Sequence, residues 1–366
     1  MLGLTQTEAP FFSGVLFYLS KWYTRKELGL RMSIFYSGSL LSGAFGNLIA
    51  AGILNGMDGK RGLSSWQWLY VIEGAITCTI GLIICVVLPD FPENWKMLSE
   101  EMRSVASRRL AVDSAEVDVD ESGSMGQLQG LKEAMVDIKT YVLAIAFHCI
   151  VGASGFQNYF PTLTESLGYS KIISLVLVAP PYIFMVFYSM THSHLSDRFN
   201  NRFWFFVYPI PITIVGYILY MATENFGARY ASFFLMIFVF TQFGTFFSWI
   251  ANAIPRPPAK RAAAYGFINA IGNSASIWTP YTYRAQDEPR YAPAMGVCIA
   301  LQVLGALMAV FLDQYTRYQN RQLARLENLE VELTGREREK LERSAQMNNI
   351  GVEQARQLTR GFRYML

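Results

Sequence analysis

The side chains with chemistry to offer in this 366-residue chain are polar groups set inside apolar runs. Glu8 lies within LGLTQTEAPFFSGVLFYLS. A carboxylate at lipid depth costs about 2.5 to 3.5 kcal/mol on insertion scales, so Glu8 belongs in a cavity, where it could take up a proton. The alternative is an ordinary solvated acid at an interface. His148 and the cluster Gln157, Asn158 and Tyr159 mark opposite ends of a later apolar run, with Gly152 and Gly155 between them permitting a bend. Amides can donate hydrogen bonds to a carboxylate. A lone membrane histidine, by contrast, is more often a packed, hydrogen-bonded residue than a relay. Asn269 and Asn273 stand four apart on one helical face, with Trp278 further along. They could line the same cavity or serve as interhelical glue, at about 0.6 kcal/mol per contact. Asp197, Arg198 and Arg202 share the short link LSDRFNNR, where the bland alternative to a functional motif is that Asp197 and Arg198 are solvated turn charges. No nucleophile–base constellation, phosphate-cradling loop or metal-ligand spacing is present, so catalysis, a cofactor and a metal site find no support. Cys78, Cys85, Cys149 and Cys298 sit in apolar segments and read as small hydrophobes.

The elements that must position these residues follow from composition. With 52% hydrophobic and 16% charged residues, against about 25% charged in soluble domains, the chain is expected to be an all-α polytopic membrane protein. Its net charge of +3, spread over links and tail, excludes a nucleic-acid surface. Residues 1–89 hold three apolar segments, 90–139 form a polar insert, 140–313 hold six more segments, and 314–366 form a charged tail. About nine transmembrane helices are therefore expected, the eighth over Ala262–Tyr283. A surface helix is expected near Trp95 to Leu110 in the insert and another from Gln314 onward. Alternating the links between sides places Lys21, Arg25, Lys26, Arg31, Arg198, Arg202, Arg256, Lys260 and Arg261 with the insert and tail. The opposite side holds only Lys60, Arg61, Lys171, Arg229, Arg284 and Arg290. The positive-inside rule then puts insert and tail in the cytoplasm.

Five stretches carry a resemblance: WQWLYVIEG at 66–74, LPDFP at 88–92, LSDRFNNR at 195–202, PRPPAKRAAA at 255–264 and the terminal GFRYML. In that order they resemble the fungal anion:cation symporters of the major facilitator superfamily, the group of allantoate, nicotinate, pantothenate and biotin permeases. The resemblance implies two six-helix bundles rocking about a midplane site. In that family six helices precede the central loop, so the chain looks truncated, lacking the first three. The resemblance further implies that Asp197, Arg198 and Arg202 form a cytoplasmic gating motif and that Glu8 couples a proton. It implies a plasma-membrane monomer moving a small organic anion, a vitamin or ureide carboxylate, by proton symport, with transport impaired or absent in this form. The segment GSLLSGAFGNLIAAG lacks the Gly-Pro element typical of drug:proton antiporters, which disfavours an efflux pump. The alternative function is a transport-dead membrane remnant that binds a partner through its insert and tail.

Overall fold

A computed structural model describes residues 11, 14–92, 94–113, 127–165, 168, 170–199, 201–254 and 258–328. Glu8 and the terminal GFRYML lie outside the described residues. Everything regular among the described residues is helical: α1 (14–22), α2 (Arg25–Gly56), α3 (Ser65–Val87), α4 (Glu100–Asp113), α5 (Gln127–Val136) and α6 (Ile138–Ala153). A 3-10 turn, Ser154–Tyr159, joins α6 to α7 (Phe160–Glu165). There follow α8 (Lys171–Phe199), α9 (Arg202–Val207), α10 (Pro209–Ala222), α11 (Phe226–Met236), α12 (Thr241–Ala253), α13 (Pro258–Asn273), α14 (Ala275–Trp278) and α15 (Ala292–Asn328).

Seven helical stretches among the described residues are long and apolar enough to cross a bilayer: Glu27–Gly56, Ser65–Val87, Ile138–Glu165, Ile172–Phe199, Arg202–Ala222, Phe226–Ala253 and Ala292–Arg325. The two remaining expected segments explain the difference from nine. The first lies largely outside the described residues, and the eighth is interrupted, α13 stopping at Asn273 before the short α14 and a 3-10 turn over Thr279–Thr282.

The insert holds two helices where one was expected. α4 begins after Ser99, whose hydroxyl accepts from the Met102 amide at 3.3 Å, and Glu100 and Glu101 favour the positive end of the helix dipole. The tail was expected to start a separate surface helix at Gln314. Instead α15 runs unbroken through that point, because nothing between Asp313 and Asn328 is a Gly or Pro and the Asp313–Arg317 pair spans one turn at 2.8 Å.

The principal seam joins α2 to α8, with α12 packed against both. Hydroxyls bridge it where helices of similar apolarity gain nothing from hydrophobic burial: Ser33 Oγ lies 2.6 Å from Ser193 Oγ and donates to the Ser189 carbonyl at 3.3 Å. By contrast α3 lies outermost, touching α2 and burying only Ser65. One end of the bundle collects the Arg109–Glu27 ion pair, Arg261 over the Phe17 ring at 5.6 Å, Lys260 paired with Asp137 and the continuation of α15. The 57–64 turn stands at the other end of α2, as does the Glu224–Arg290 pair at the far end of α10.

Candidate functional site

α2, α6, α12 and α13 enclose a cavity of about 340 Å³. Part of its wall is aromatic. Tyr36 of α2 stacks on Phe243 of α12, ring centroids 4.4 Å apart and planes 10° from parallel. Phe247 follows one turn later on the same face, as i,i+4 spacing requires, and Phe147 of α6 meets it edge-on at 5.3 Å. The rest of the lining is polar except for Val151: Ser39, Ser154, Gln157, Asn269, Asn273 and Ser276. No charged side chain lines the cavity among the described residues.

Local geometry explains which candidates reach it. Residues i and i+3 eclipse in a 3-10 helix, so Ser154 and Gln157 share the cavity face of the Ser154–Tyr159 turn while Asn158 and Tyr159 point elsewhere. Tyr159 instead stacks on Tyr283 at 4.4 Å and donates to the Pro280 carbonyl at 3.2 Å. Asn269 and Asn273 both line the cavity and are already coupled, the Asn273 amide donating to Asn269 Oδ1 at 2.8 Å. His148 and Trp278 pair with each other away from the cavity lining. Trp278 Nε1 donates to His148 Nε2 at 3.2 Å, so the other ring nitrogen carries the proton and donates to the Ile271 carbonyl at 3.0 Å. That carbonyl lies in the last turn of α13 and also accepts from the Ser274 hydroxyl at 2.6 Å, so His148 helps to cap the interruption.

At the end of the α2–α8 seam, Asp197 and Arg202 are 6% and 0% exposed and form an ion pair at 2.5 Å. They are not solvated turn charges. Asp197 Oδ2 also accepts from the Leu30 amide at 2.6 Å, and Arg202 Nη1 donates to Ser196 Oγ at 3.0 Å. A Cβ at Gly29 would collide with the Asp197 carboxylate, so only glycine lets α2 approach this link. Arg198 is exposed and stands outside the clamp.

Sequence reasoning missed Tyr36, Ser39, Phe147, Phe243 and Phe247 on the cavity wall. The spacing Tyr36, Ser39, Gly43 along one stripe of α2 was an available signal. It also passed over His192, a buried residue of α8 whose Nδ1 lies 2.7 Å from Tyr208 Oη and whose Nε2 lies 3.0 Å from Thr245 Oγ1.

The family profile described as Major Facilitator Superfamily matches residues 2–280. The chain belongs to the major facilitator superfamily. Among its superfamily relatives, the MFS-type transporter cnsO of Penicillium expansum is 31% identical over 348 residues, which is 91% of this chain and 66% of cnsO. The major facilitator-type transporter hxnP of Emericella nidulans is 29% identical over 320 residues, 86% of this chain and 63% of hxnP. The solved structure of the MFS proton:xylose symporter XylE bound to 6-bromo-6-deoxy-D-glucose has a TM-score of 0.61 at 15% identity, covering 82% of this chain and 66% of that one. XylE shares the fold. The chain spans just under two thirds of the length of each of these superfamily members.

Proposed function

We propose that this chain is the cavity-bearing part of a membrane transporter that carries a small organic anion together with a proton. The observation that carries the proposal is the cavity itself, with flat aromatic rings on one part of its wall and amide and hydroxyl donors on most of the rest. Rings suit a planar or apolar body, and Gln157, Asn269 and Asn273 can donate to a carboxylate without a fixed cation. A volume of about 340 Å³ suits a molecule of vitamin or ureide size. The α2–α8 seam, with its Ser33–Ser193 bridge and the Asp197 contact to Leu30, is the joint that would open and close as one side of the bundle rocks against the other. Glu8 is assigned the proton, on its residue type and setting alone.

The test is uptake of labelled nicotinate, pantothenate, biotin and allantoate by cells expressing the chain, with and without a collapsed proton gradient, alongside binding to the purified protein. Among the described residues only Tyr36 and Ser39 of α2 line the cavity from the part before the insert. Accumulation by the 366-residue form is therefore expected to be weak or absent while saturable binding of one carboxylate persists. Absence of binding for all four, in protein that is folded by thermal unfolding, would overturn the anion assignment.

A second function, a membrane module that binds a partner and transports nothing, draws on α3. Its apolar length is exposed and carries Glu73, a carboxylate that a helix facing lipid does not tolerate cheaply. Under that function the purified chain binds none of the four and Glu73→Gln weakens partner capture.

A further inference from the structure

The insert helix α5 divides its surface three ways. Gly130 and Ala134 are buried toward α13, where a Cβ on Gly130 would stand 2.8 Å from the Ala259 carbonyl carbon. Leu128, Leu131 and Met135, at i, i+3 and i+7, form an apolar stripe exposed by 82, 42 and 37%. Lys132 and Glu133 lie on the third face. With Asp137, Lys139 and Lys260 they wall a second cavity, of about 700 Å³, at the point where α5 ends and the span from Ile138 begins.

The described lining of this cavity is net positive. Among the described residues three lysines face two carboxylates, a sum of +1. Lys139 is only 5% exposed, and on the same wall Lys260 Nζ sits 2.7 Å from Asp137 Oδ2. An ammonium group withdrawn from water gains from every further anion brought near it. A phosphodiester monoanion would bring the sum to zero, and the amides of Gln129 and Gln319 supply further donors on the wall. The apolar stripe beside Lys132 selects among phosphate sources: a soluble phosphate ester has no use for it, whereas two acyl chains would cover it. An amphipathic helix with lysine next to an apolar face lies naturally at the boundary of headgroups and chains.

We propose that this cavity holds the headgroup of an anionic glycerophospholipid, its phosphate among Lys132, Lys139 and Lys260 and its chains along Leu128, Leu131 and Met135. The full chain, purified in nonionic detergent and stripped of lipid, is titrated with phosphatidylinositol, phosphatidylcholine or glycerophosphoinositol, and bound molecules are counted by native mass spectrometry. Phosphatidylinositol is expected to bind at least tenfold more tightly than phosphatidylcholine. Lys132 is exposed, so Lys132→Gln leaves packing intact and should weaken phosphatidylinositol about fivefold. Lys60→Gln, at the far end of α2, should leave binding unchanged. Equal binding of the two lipids, or equal weakening by both lysine substitutions, overturns the site. Glycerophosphoinositol binding as tightly as phosphatidylinositol overturns the lipid and makes the ligand a soluble phosphate ester.

Discussion

Asp197 and Arg202 are both shielded from water, and replacing one removes the counterion of the other. Breaking a buried pair in this way costs about 3 to 5 kcal/mol, so Asp197→Asn should lower the thermal midpoint of the purified protein sharply, whereas the exposed neighbour Arg198→Gln should leave it within error. Equal midpoints for the two variants would remove Asp197 from the seam. In the first cavity the amides are judged by affinity. A hydrogen bond to a charged acceptor contributes about 1.5 to 3 kcal/mol, so Asn273→Leu should weaken binding of the carboxylate proposed as substrate about tenfold or more. Asn158→Leu, one residue round the 3-10 turn from Gln157, should change it little.

Two elements depend on small caps. The break between α13 and α14 leaves the Ile271 carbonyl to His148 and Ser274, so His148→Leu should lower stability by about 1 to 3 kcal/mol and speed amide exchange over 271–278. Unaltered exchange there would show that the break holds without the ring. The turn joining α2 to α3 rests on Asp58, whose Oδ1 accepts from the Ser65 hydroxyl at 2.8 Å and from the Ser65 amide at 3.0 Å. Those bonds hold the carboxyl below its ordinary 3.8. A depressed folded value means that the contribution is present in full above 3.8 and is lost as pH falls through the lower folded value. The wild-type turn should therefore loosen only under strong acid, and Asp58→Asn should abolish that acid step, read as amide hydrogen exchange over 57–65.

For the whole molecule, the distribution of basic residues argues for a cytoplasmic insert and tail. On intact cells an impermeant thiol reagent should label a cysteine at Lys60 and spare one at Ser122, after the exposed Cys78 and Cys85 are replaced. Labelling at Ser122 would invert the assignment. The structure adds that the residues on that side form one assembly: α4 reaches Glu27, α5 packs on α13, and α15 carries the last span onward past Gln319.

Composition and the lengths of its apolar runs were enough to make this a helical membrane protein, because a bilayer demands about 20 apolar residues per crossing and satisfies backbone groups almost only in helices, while the major facilitator superfamily was legible only as a resemblance in five short stretches, which the family profile bears out. The polar residues inside those runs were legible too, and Gln157, Asn269 and Asn273 do meet at one cavity. Their partners were not. Tyr36, Phe147, Phe243 and Phe247 look like any other membrane aromatics until α2 is set against α12, since apolar residues face lipid and protein alike and periodicity cannot tell the two apart. His148 and Trp278 look like a cavity pair in one dimension. Only the break at Ser274 and the three-residue period of the 3-10 turn after α6 decide that one pair caps a helix while the neighbouring Gln157 amide faces the first cavity.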